Sequence, residues 1–290
     1  MKQSNILYGK KLADSILKEV AVSVKRLKEK EDIVPCLMTV QLGEDPASTV
    51  YLGSQRRIAE TVGINCEHME LSASTSQNRM LRLLEVLNND PAIHGIIMHM
   101  PLPEHLDSKY LQWNINRKKD VEGVTPYNLG RLFLGVPGLV PCTALSVVDL
   151  IKSTGQDLRG KEVTIVGHSD IVGKPVQIML LQQLCTVTVC HVATTERGLL
   201  EEHVRRAEIL VSAVGKPEVV RGDWIKPGAT VIDVGINTVG DKIVGDVEFE
   251  AACKHAKYIT PVPGGVGTVT VARLMKNLVD AVDWQMQNEE

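Results

Sequence analysis

Lys161-Glu162-Val163-Thr164-Ile165-Val166-Gly167-His168-Ser169-Asp170-Ile171-Val172-Gly173-Lys174-Pro175 is the stretch that decides the fold of this 290-residue chain. Its first half is typical of a buried strand, and an apolar helix is predicted to follow the glycine loop. Gly167 permits a tight turn, and Gly173 allows the helix to pack closely on the strand. The start of that helix offers free N–H groups and a positive dipole end, which favour a pyrophosphate. The stretch therefore predicts the dinucleotide-binding turn of a Rossmann-like domain.

Strand and helix patterns alternate on both sides of this loop, which favours an α/β fold with parallel sheets. The predicted strands are Cys36–Leu42, Ile93–Met100, Val163–Val166, Thr186–His191, Ile209–Val214 and Thr230–Val234. The predicted helices cover 9–30, Ser48–Val62, Ser76–Asn88, Ala144–Ser153, a helix ending at Leu184, and Thr270–Gln287. A loop-rich stretch from Gly135 to Pro141 indicates a domain junction.

The composition is that of an ordinary globular protein, with 44% hydrophobic and 23% charged residues. A net charge of −3 gives no basic field for nucleic acid, so no nucleic-acid partner is predicted. No apolar run is long enough to span a bilayer, and Met1–Asn5 lacks the apolar core of a signal peptide, so a cytoplasmic location is expected. The six cysteines form no C-x-x-C pair and are interpreted as core side chains, so no metal site is predicted.

Nine motifs, in order along nearly the whole chain, resemble those of the bifunctional methylenetetrahydrofolate dehydrogenase/cyclohydrolase family. They are Gly9–Ala13, Gly43–Ser48, Pro101–Pro103, Lys119–Gly123, Asn128–Gly130, Pro141–Thr143, Asp233–Asn237, Gly245–Val247 and Pro261–Gly267. The last one, Pro-Val-Pro-Gly-Gly-Val-Gly, is highly specific. On these motifs the chain is identified as a member of the family.

The resemblance implies two α/β domains flanking a cleft. Residues 1–140 plus 270–290 would form the folate-binding catalytic domain, and residues 141–269 the Rossmann-like NAD(P)-binding domain. The implied reactions are oxidation of 5,10-methylenetetrahydrofolate with NAD(P), then hydrolysis of the methenyl product to 10-formyltetrahydrofolate. The expected partners are tetrahydrofolate derivatives and a second copy of the chain, in a homodimer through the cofactor domains.

The resemblance also assigns site residues. Tyr51 would stack near the folate ring, Glu122 would hold the pteridine, and the backbone at Pro263, Gly264 and Gly265 would approach the flat ring closely. The cofactor-binding residues would be Gly167, His168, Ser169, Ile171, Val172, Gly173, His191, Val192, Gly215 and Ile236.

Three catalytic positions depart from the family pattern together. The catalytic Lys is replaced by Gln55, its supporting Gln by His99, and the second acid of K-D-V-D-G by Glu122. Tyr51 and Gln55 share one helix face, and a neutral amide neither gives nor takes a proton at physiological pH. Neutral drift explains a single change more readily than three changes in one constellation. His99 is either a substitute acid/base or a hydrogen-bonded residue at a strand end.

The cofactor is NADP or NAD. No acid in residues 189–194 is available to bind a 2′-hydroxyl, and the family's Arg and Ser positions hold His168 and Val192. A protonated His168 can meet a 2′-phosphate, whereas Val192 cannot. The contacts that favour NADP are therefore weakened.

Loss of the Lys affects the two reactions differently. Hydride transfer moves no proton and needs mainly positioning, whereas hydrolysis needs an activated water and a protonated nitrogen. The sequence therefore predicts a methylenetetrahydrofolate dehydrogenase with weak or absent cyclohydrolase activity. The alternatives are a fully bifunctional enzyme that uses His99, a non-catalytic folate- or nucleotide-binding paralogue, and an enzyme for a different pterin.

Overall fold

The computed structural model describes residues 5–43, 46–136 and 138–287, without the side chains of residues 5 and 46–51. Within these ranges helices α1 to α11 span Lys10–Glu31, Pro46–Val62, Gln77–Asn89, Ser108–Trp113, Pro126–Phe133, Cys142–Ser153, Gly173–Gln182, Val192–Glu196, Leu200–Arg206, Phe249–Ala252 and Val266–Met286. Strands β1 to β11 span Asn5–Ile6, Cys36–Leu42, Asn65–Leu71, Gly95–Met98, Glu162–Val166, Thr186–Cys190, Ile209–Ser212, Thr230–Asp233, Asn237–Val239, Lys242–Val244 and Tyr258–Ile259. A turn of 3-10 helix covers Gly222–Trp224.

The chain divides into two compact units. The first unit consists of Met1–Ala13 and Thr143–Thr270. The second unit consists of Asp14–Cys142 and Val271–Glu290. Both statements refer only to the described residues within these ranges. Helix α11 contributes residues to both units, because the division falls after Thr270. No helix in the described ranges is long and apolar enough to cross a membrane.

The first unit is built on a six-stranded sheet in the order β1-β11-β8-β7-β5-β6. Every neighbouring pair in this sheet is parallel. Central strands of a parallel sheet are covered on both faces, which is why β7 and β8 are buried throughout and read as continuous apolar runs. The core on one side of the sheet includes Val166, Leu200, Val204, Leu210, Val231 and Ile259. This parallel sheet confirms the predicted α/β fold class.

The second unit contains a three-stranded parallel sheet in the order β3-β2-β4. Its core includes Met38, Val40, Met80, Leu84, Ile96 and Met98. The C-terminal part of α11 is held to this unit by side-chain amides. Asn277 Nδ2 donates to the carbonyl oxygens of Val121 and Val140, both at 2.8 Å, and Gln285 Nε2 donates to that of His94 at 2.8 Å.

Strand β2 has the predicted bounds, and the other predicted strands and helices are present with shifted ends. The predicted strand Ile93–Met100 is too long, because only Gly95–Met98 pairs with β2. The last helix begins at Val266, four residues before the predicted start. Strand β3 was not predicted, because it is an edge strand with no buried residue and a largely polar sequence that resembles neither a buried strand nor a loop.

Candidate functional site

Gln55 lies in the middle of α2 and is only 2% exposed. Its Oε1 is buried and accepts no hydrogen bond from the described residues. A buried amide oxygen without a hydrogen-bond donor lowers the stability of the fold by about 1–3 kcal/mol, unless a water or a ligand donates to it. The continuous helix places position 51 one turn before Gln55, as predicted, although the Tyr51 side chain lies outside the described residues.

His99 follows β4 directly and is 8% exposed. Its backbone N–H donates to the carbonyl oxygen of Val40 at 2.9 Å, which continues the pairing of β4 with β2 by one residue. The imidazole therefore stands at the carboxyl end of a buried strand, where side chains of parallel sheets commonly meet ligands. The Met100–Pro101 peptide bond, one residue after His99, is cis.

The Lys119–Gly123 motif separates into structural residues and one candidate functional residue. Lys119 is buried and its Nζ donates to the carbonyl oxygens of Leu87 at 3.0 Å and Asp90 at 2.6 Å, at the end of α3. Asp120 is also buried, and its carboxylate accepts hydrogen bonds from Val124 N, Thr125 N and Asn128 Nδ2 at 2.8–3.1 Å. The first two charges of the motif thus hold the fold together, and Glu122 remains the candidate functional residue of the motif.

Glu122 is only partly exposed. Burial raises the pKa of its carboxyl group to about 7, and the negative charge of Asp120 adds to the effect. Burial, followed by the charge of Glu122, also raises the pKa of the Cys142 thiol well above its usual value. The protonated form of Glu122 is therefore present near neutral pH, and a protonated carboxyl group can donate a hydrogen bond as well as accept one.

The first unit contains the predicted dinucleotide loop between β5 and α7. A Cβ at Gly173 would lie 2.2 Å from the carbonyl oxygen of Gly167, and Gly167 itself has a φ of +119°. Ser169 Oγ accepts hydrogen bonds from Val172 N at 3.2 Å and Gly173 N at 3.5 Å, which fixes the turn before the helix. The close approach of the two glycines leaves room for no side chain, as a pyrophosphate cradle requires.

Exposed apolar side chains gather at the carboxyl edge of the same sheet. One follows each of β5, β6, β7 and β8, and they are 38–68% exposed: Ile171, Val192, Val214 and Ile236. Carboxyl ends of parallel strands lie at one edge, which is where ligands of such sheets commonly bind, so these four side chains are candidates for apolar contacts with a dinucleotide. Val214 was missed by the sequence analysis, because it extends an apolar run that is typical of a buried strand, whereas β7 ends at Ser212.

His168 and His191 lie together at this edge. Their ring centroids are 5.4 Å apart with an angle of 56° between the ring planes, and both residues are exposed. His191 follows the end of β6, and its backbone N–H donates to Thr194 Oγ1 at 3.2 Å. The position of His168 beside His191 puts a pair of potential phosphate donors near Val192, which offers none.

The Pro261–Gly267 motif follows β11 in the first unit, and its last two residues, Val266 and Gly267, begin α11. Gly264 has a φ of +104°, and its carbonyl oxygen accepts a hydrogen bond from Gly9 N at 2.8 Å. A Cβ at Gly9 would lie 2.2 Å from the carbonyl oxygen of Gly265. Only a glycine at position 9 therefore allows the Gly9–Ala13 motif to pack against the Pro261–Gly267 motif. The sequence does not predict this role for Gly9, because the two positions are far apart along the chain.

The predicted site residues therefore fall on both units. Gln55, His99 and Glu122 belong to the second unit, and the nucleotide loop and the Pro261–Gly267 loop belong to the first. In the parts of the chain that the structure describes, no group of three or more His, Cys, Asp or Glu side chains is placed to hold a metal ion.

Both halves of the chain match domains of one known protein family. Residues 7–122 match the model of the tetrahydrofolate dehydrogenase/cyclohydrolase catalytic domain, and residues 141–286 match that of the NAD(P)-binding domain of the same family. The bifunctional protein FolD of Moorella thermoacetica is 50% identical over 279 residues, which cover 96% of this chain and 98% of that protein.

Solved structures are similar over nearly their whole length. The bifunctional FolD enzyme of Campylobacter jejuni is 40% identical with a TM-score of 0.93, covering 98% of this chain and 100% of that one. The Trypanosoma brucei FolD, complexed with NADP cofactor and an inhibitor, is 37% identical with a TM-score of 0.94, covering 99% and 100%. The NAD(P)-binding domain predicted for the second half is thereby confirmed, and the chain belongs to the tetrahydrofolate dehydrogenase/cyclohydrolase family of enzymes.

Proposed function

We propose that this protein oxidises 5,10-methylenetetrahydrofolate to the methenyl form with NAD(P), and that its cyclohydrolase step is weak or absent. The observation that carries the proposal is the buried amide of Gln55 at the position where the family's motif has Lys. A carboxamide can hydrogen-bond a substrate but cannot exchange a proton with it near neutral pH. Removal of a positioned acid/base commonly costs on the order of 10²–10⁴ in rate.

The dehydrogenase step does not need that proton. A bound nicotinamide supplies the hydride acceptor, and this chain's residues have to hold substrate and cofactor in register and exclude water. Gln55 Oε1, which has no donor among the described residues, fits an N–H of the substrate. Glu122, whose pKa is raised to about 7, fits the pteridine as a group that can both donate and accept a hydrogen bond.

The nucleotide role is assigned to the first unit. Gly167, Ser169 and Gly173 would hold the pyrophosphate, and the four exposed apolar side chains at the sheet edge would contact the rings. Val172, His168, His191, Val192 and Gly215 complete the proposed cofactor site. Whether NADP or NAD is preferred depends on the phosphate contacts of the two histidines.

The folate role is assigned to the second unit together with the Pro261–Gly267 loop. Tyr51 would stack on the folate ring beside Gln55, and Pro263, Gly264 and Gly265 of the first unit are proposed as further substrate-binding residues. A domain division at residues 140/141 and 269/270, a homodimer through the cofactor domain and a cytoplasmic location are part of the same proposal. Light scattering of the purified protein tests the dimer.

A second candidate is the fully bifunctional enzyme, which the names of the relatives favour, since the Moorella thermoacetica relative is called bifunctional. His99 would then serve as the acid/base, because an imidazole exchanges protons near neutrality. A His99→Ala variant that keeps the wild-type cyclohydrolase rate would remove this candidate.

The deciding experiment follows NAD(P)H and methenyltetrahydrofolate at two wavelengths, with methylenetetrahydrofolate and NAD or NADP in turn. We expect methenyl product to accumulate one-for-one with NAD(P)H. NAD(P)H formation without methenyl accumulation would establish the bifunctional enzyme instead. Absence of both signals, with ligand binding seen by calorimetry, would leave the non-catalytic paralogue, and absence of both signals and of folate binding would indicate a different pterin.

A further inference from the structure

Two family-like motifs, Asp233–Asn237 and Gly245–Val247, each contain an aspartate that has no part in the function proposed above, and the two motifs form a reciprocal contact. A Cβ at Gly235 would lie 2.1 Å from Asp246 Oδ1, and a Cβ at Gly245 would lie 1.9 Å from Asp233 Oδ2. Each motif's glycine therefore leaves space for the other motif's carboxylate. Both carboxylates are buried, at 0% exposure for Asp246 and 3% for Asp233.

Asp246 holds the loop that follows β7. Its Oδ2 accepts hydrogen bonds from Val214 N at 2.6 Å and Gly215 N at 3.2 Å, and its Oδ1 accepts one from Lys216 N at 3.0 Å. Three consecutive backbone N–H groups thus converge on one carboxylate, an arrangement that stabilises the negative charge and fixes the loop.

The same carboxylate also reaches the loop that follows β8. Asn237 Nδ2 donates to Asp246 Oδ1 at 3.0 Å. Asp233 completes the link, because its Oδ1 accepts hydrogen bonds from Gly235 N and Asp246 N, both at 3.0 Å. The loops after β7 and β8 are therefore tied to each other through two buried carboxylates.

These two loops carry Val214, Gly215 and Ile236, which belong to the proposed nucleotide site, and the inference rests on that proposal. We infer that Asp246, with Asp233 in support, is a positioning residue that sets the loops after β7 and β8 in the register needed to bind NAD(P). Asp246 is buried and does not itself present an atom to the ligand. Its effect would reach the cofactor through the backbone at 214–216.

The test compares Asp246→Asn with Asp120→Asn. Both variants replace a buried carboxylate that accepts at least three hydrogen bonds, but Asp120 lies in the second unit. An amide at position 246 would turn N–H donors toward the backbone N–H groups, so we expect Kd for NAD(P), measured by calorimetry, to rise about tenfold or more. The KM for the cofactor should rise more than kcat falls, while the Kd for tetrahydrofolate changes less than about twofold. Asp120→Asn should leave the nucleotide Kd near that of wild type.

The milder Asn237→Ala variant removes one hydrogen bond to Asp246. It tests the same positioning role if Asp246→Asn does not fold. It should raise the nucleotide Kd a few-fold in the same direction. Unchanged nucleotide affinity in either folded variant, or an equal loss for both ligands, overturns the positioning role and leaves only a structural one. If wild-type protein binds neither NAD nor NADP, the proposed function fails as well, so the two failures are distinguished by the wild-type measurement.

Discussion

Asp120 and Glu122 have opposite environments although one residue separates them. The Asp120 carboxylate accepts hydrogen bonds from two backbone N–H groups and from Asn128 Nδ2, which compensates its burial. Glu122 has its pKa raised to about 7, first by burial and then by the charge of Asp120. The hydrogen-bonded acid is thus part of the framework, and the acid beside it is tuned toward its neutral form.

This relationship predicts the pH dependence of stability in a Glu122→Gln variant. The pKa of Glu122 is raised from its ordinary 4.5 to about 7, so between these pH values the unfolded chain loses a proton that the folded protein keeps. The stability of the wild type due to this group therefore falls as pH rises from about 4.5 to about 7 and is then constant. The Glu122→Gln variant lacks this loss. Its free energy of unfolding relative to that of the wild type should therefore be higher at about pH 8 than at about pH 5.

Urea unfolding at both pH values measures the difference. Glu85→Gln, on an exposed part of α3, is the matched control and should show no pH-dependent gain. A Glu122→Gln variant whose stability relative to wild type is the same at both pH values would contradict a raised pKa in the folded protein.

Gln55→Lys should create cyclohydrolase activity. A lysine at this position restores an acid/base group to the face of α2 shared with position 51, and a gain on the order of 10²-fold in methenyl hydrolysis is expected. The dehydrogenase rate should change much less, because hydride transfer moves no proton. Hydrolysis of methenyltetrahydrofolate, followed by its absorbance, measures the gain.

Thr61→Lys is the charge-matched control, since Thr61 is exposed on the same helix. It should leave hydrolysis unchanged. If Gln55→Lys is folded and oxidises substrate but hydrolyses no faster than wild type, then His99 or Glu122 also blocks the second step, and the single-residue explanation is wrong.

His168→Arg should shift cofactor choice toward NADP. A guanidinium keeps its charge at all physiological pH values and can bind the 2′-phosphate through two N–H groups. We expect the Kd for NADP to fall by about tenfold or more, from the added charge-assisted hydrogen bonds, with the Kd for NAD nearly unchanged. Leu181→Arg, at an exposed position of α7, controls for added charge. Equal effects on NADP and NAD would place the 2′-phosphate elsewhere.

Lys119→Ala should destabilise the fold through α3. The buried ammonium group donates to the carbonyl oxygens of Leu87 and Asp90, and these acceptors would lose their partner. A loss of about 2 kcal/mol in the free energy of unfolding is expected, since hydrogen bonds to charged groups contribute on this scale. Lys25→Ala, whose side chain is 74% exposed, should stay within about 0.5 kcal/mol of wild type. If Lys119→Ala loses no more free energy of unfolding than Lys25→Ala does, water has replaced the ammonium group as the hydrogen-bond donor.

Much of the fold could be predicted because its signals are local. Strand β2 has the predicted bounds, since a central parallel strand reads as one apolar run, and the dinucleotide loop follows from the spacing of Gly167 and Gly173. Edge strand β3 could not be predicted, because half of its residues face solvent and its pairing partner β2 supplies the order.

The sequence by itself determined the family, the parallel α/β architecture and the departure at Gln55, because glycine loops, apolar runs and residue identity need no knowledge of distant contacts. Only the tertiary structure decided which charged residue of Lys119–Gly123 is available for chemistry and that Asp233 and Asp246 interlock across two loops. Burial and hydrogen-bond partners come from residues far apart in the chain. The state of a carboxylate is therefore a property of the packed molecule and cannot be read from its neighbours in sequence.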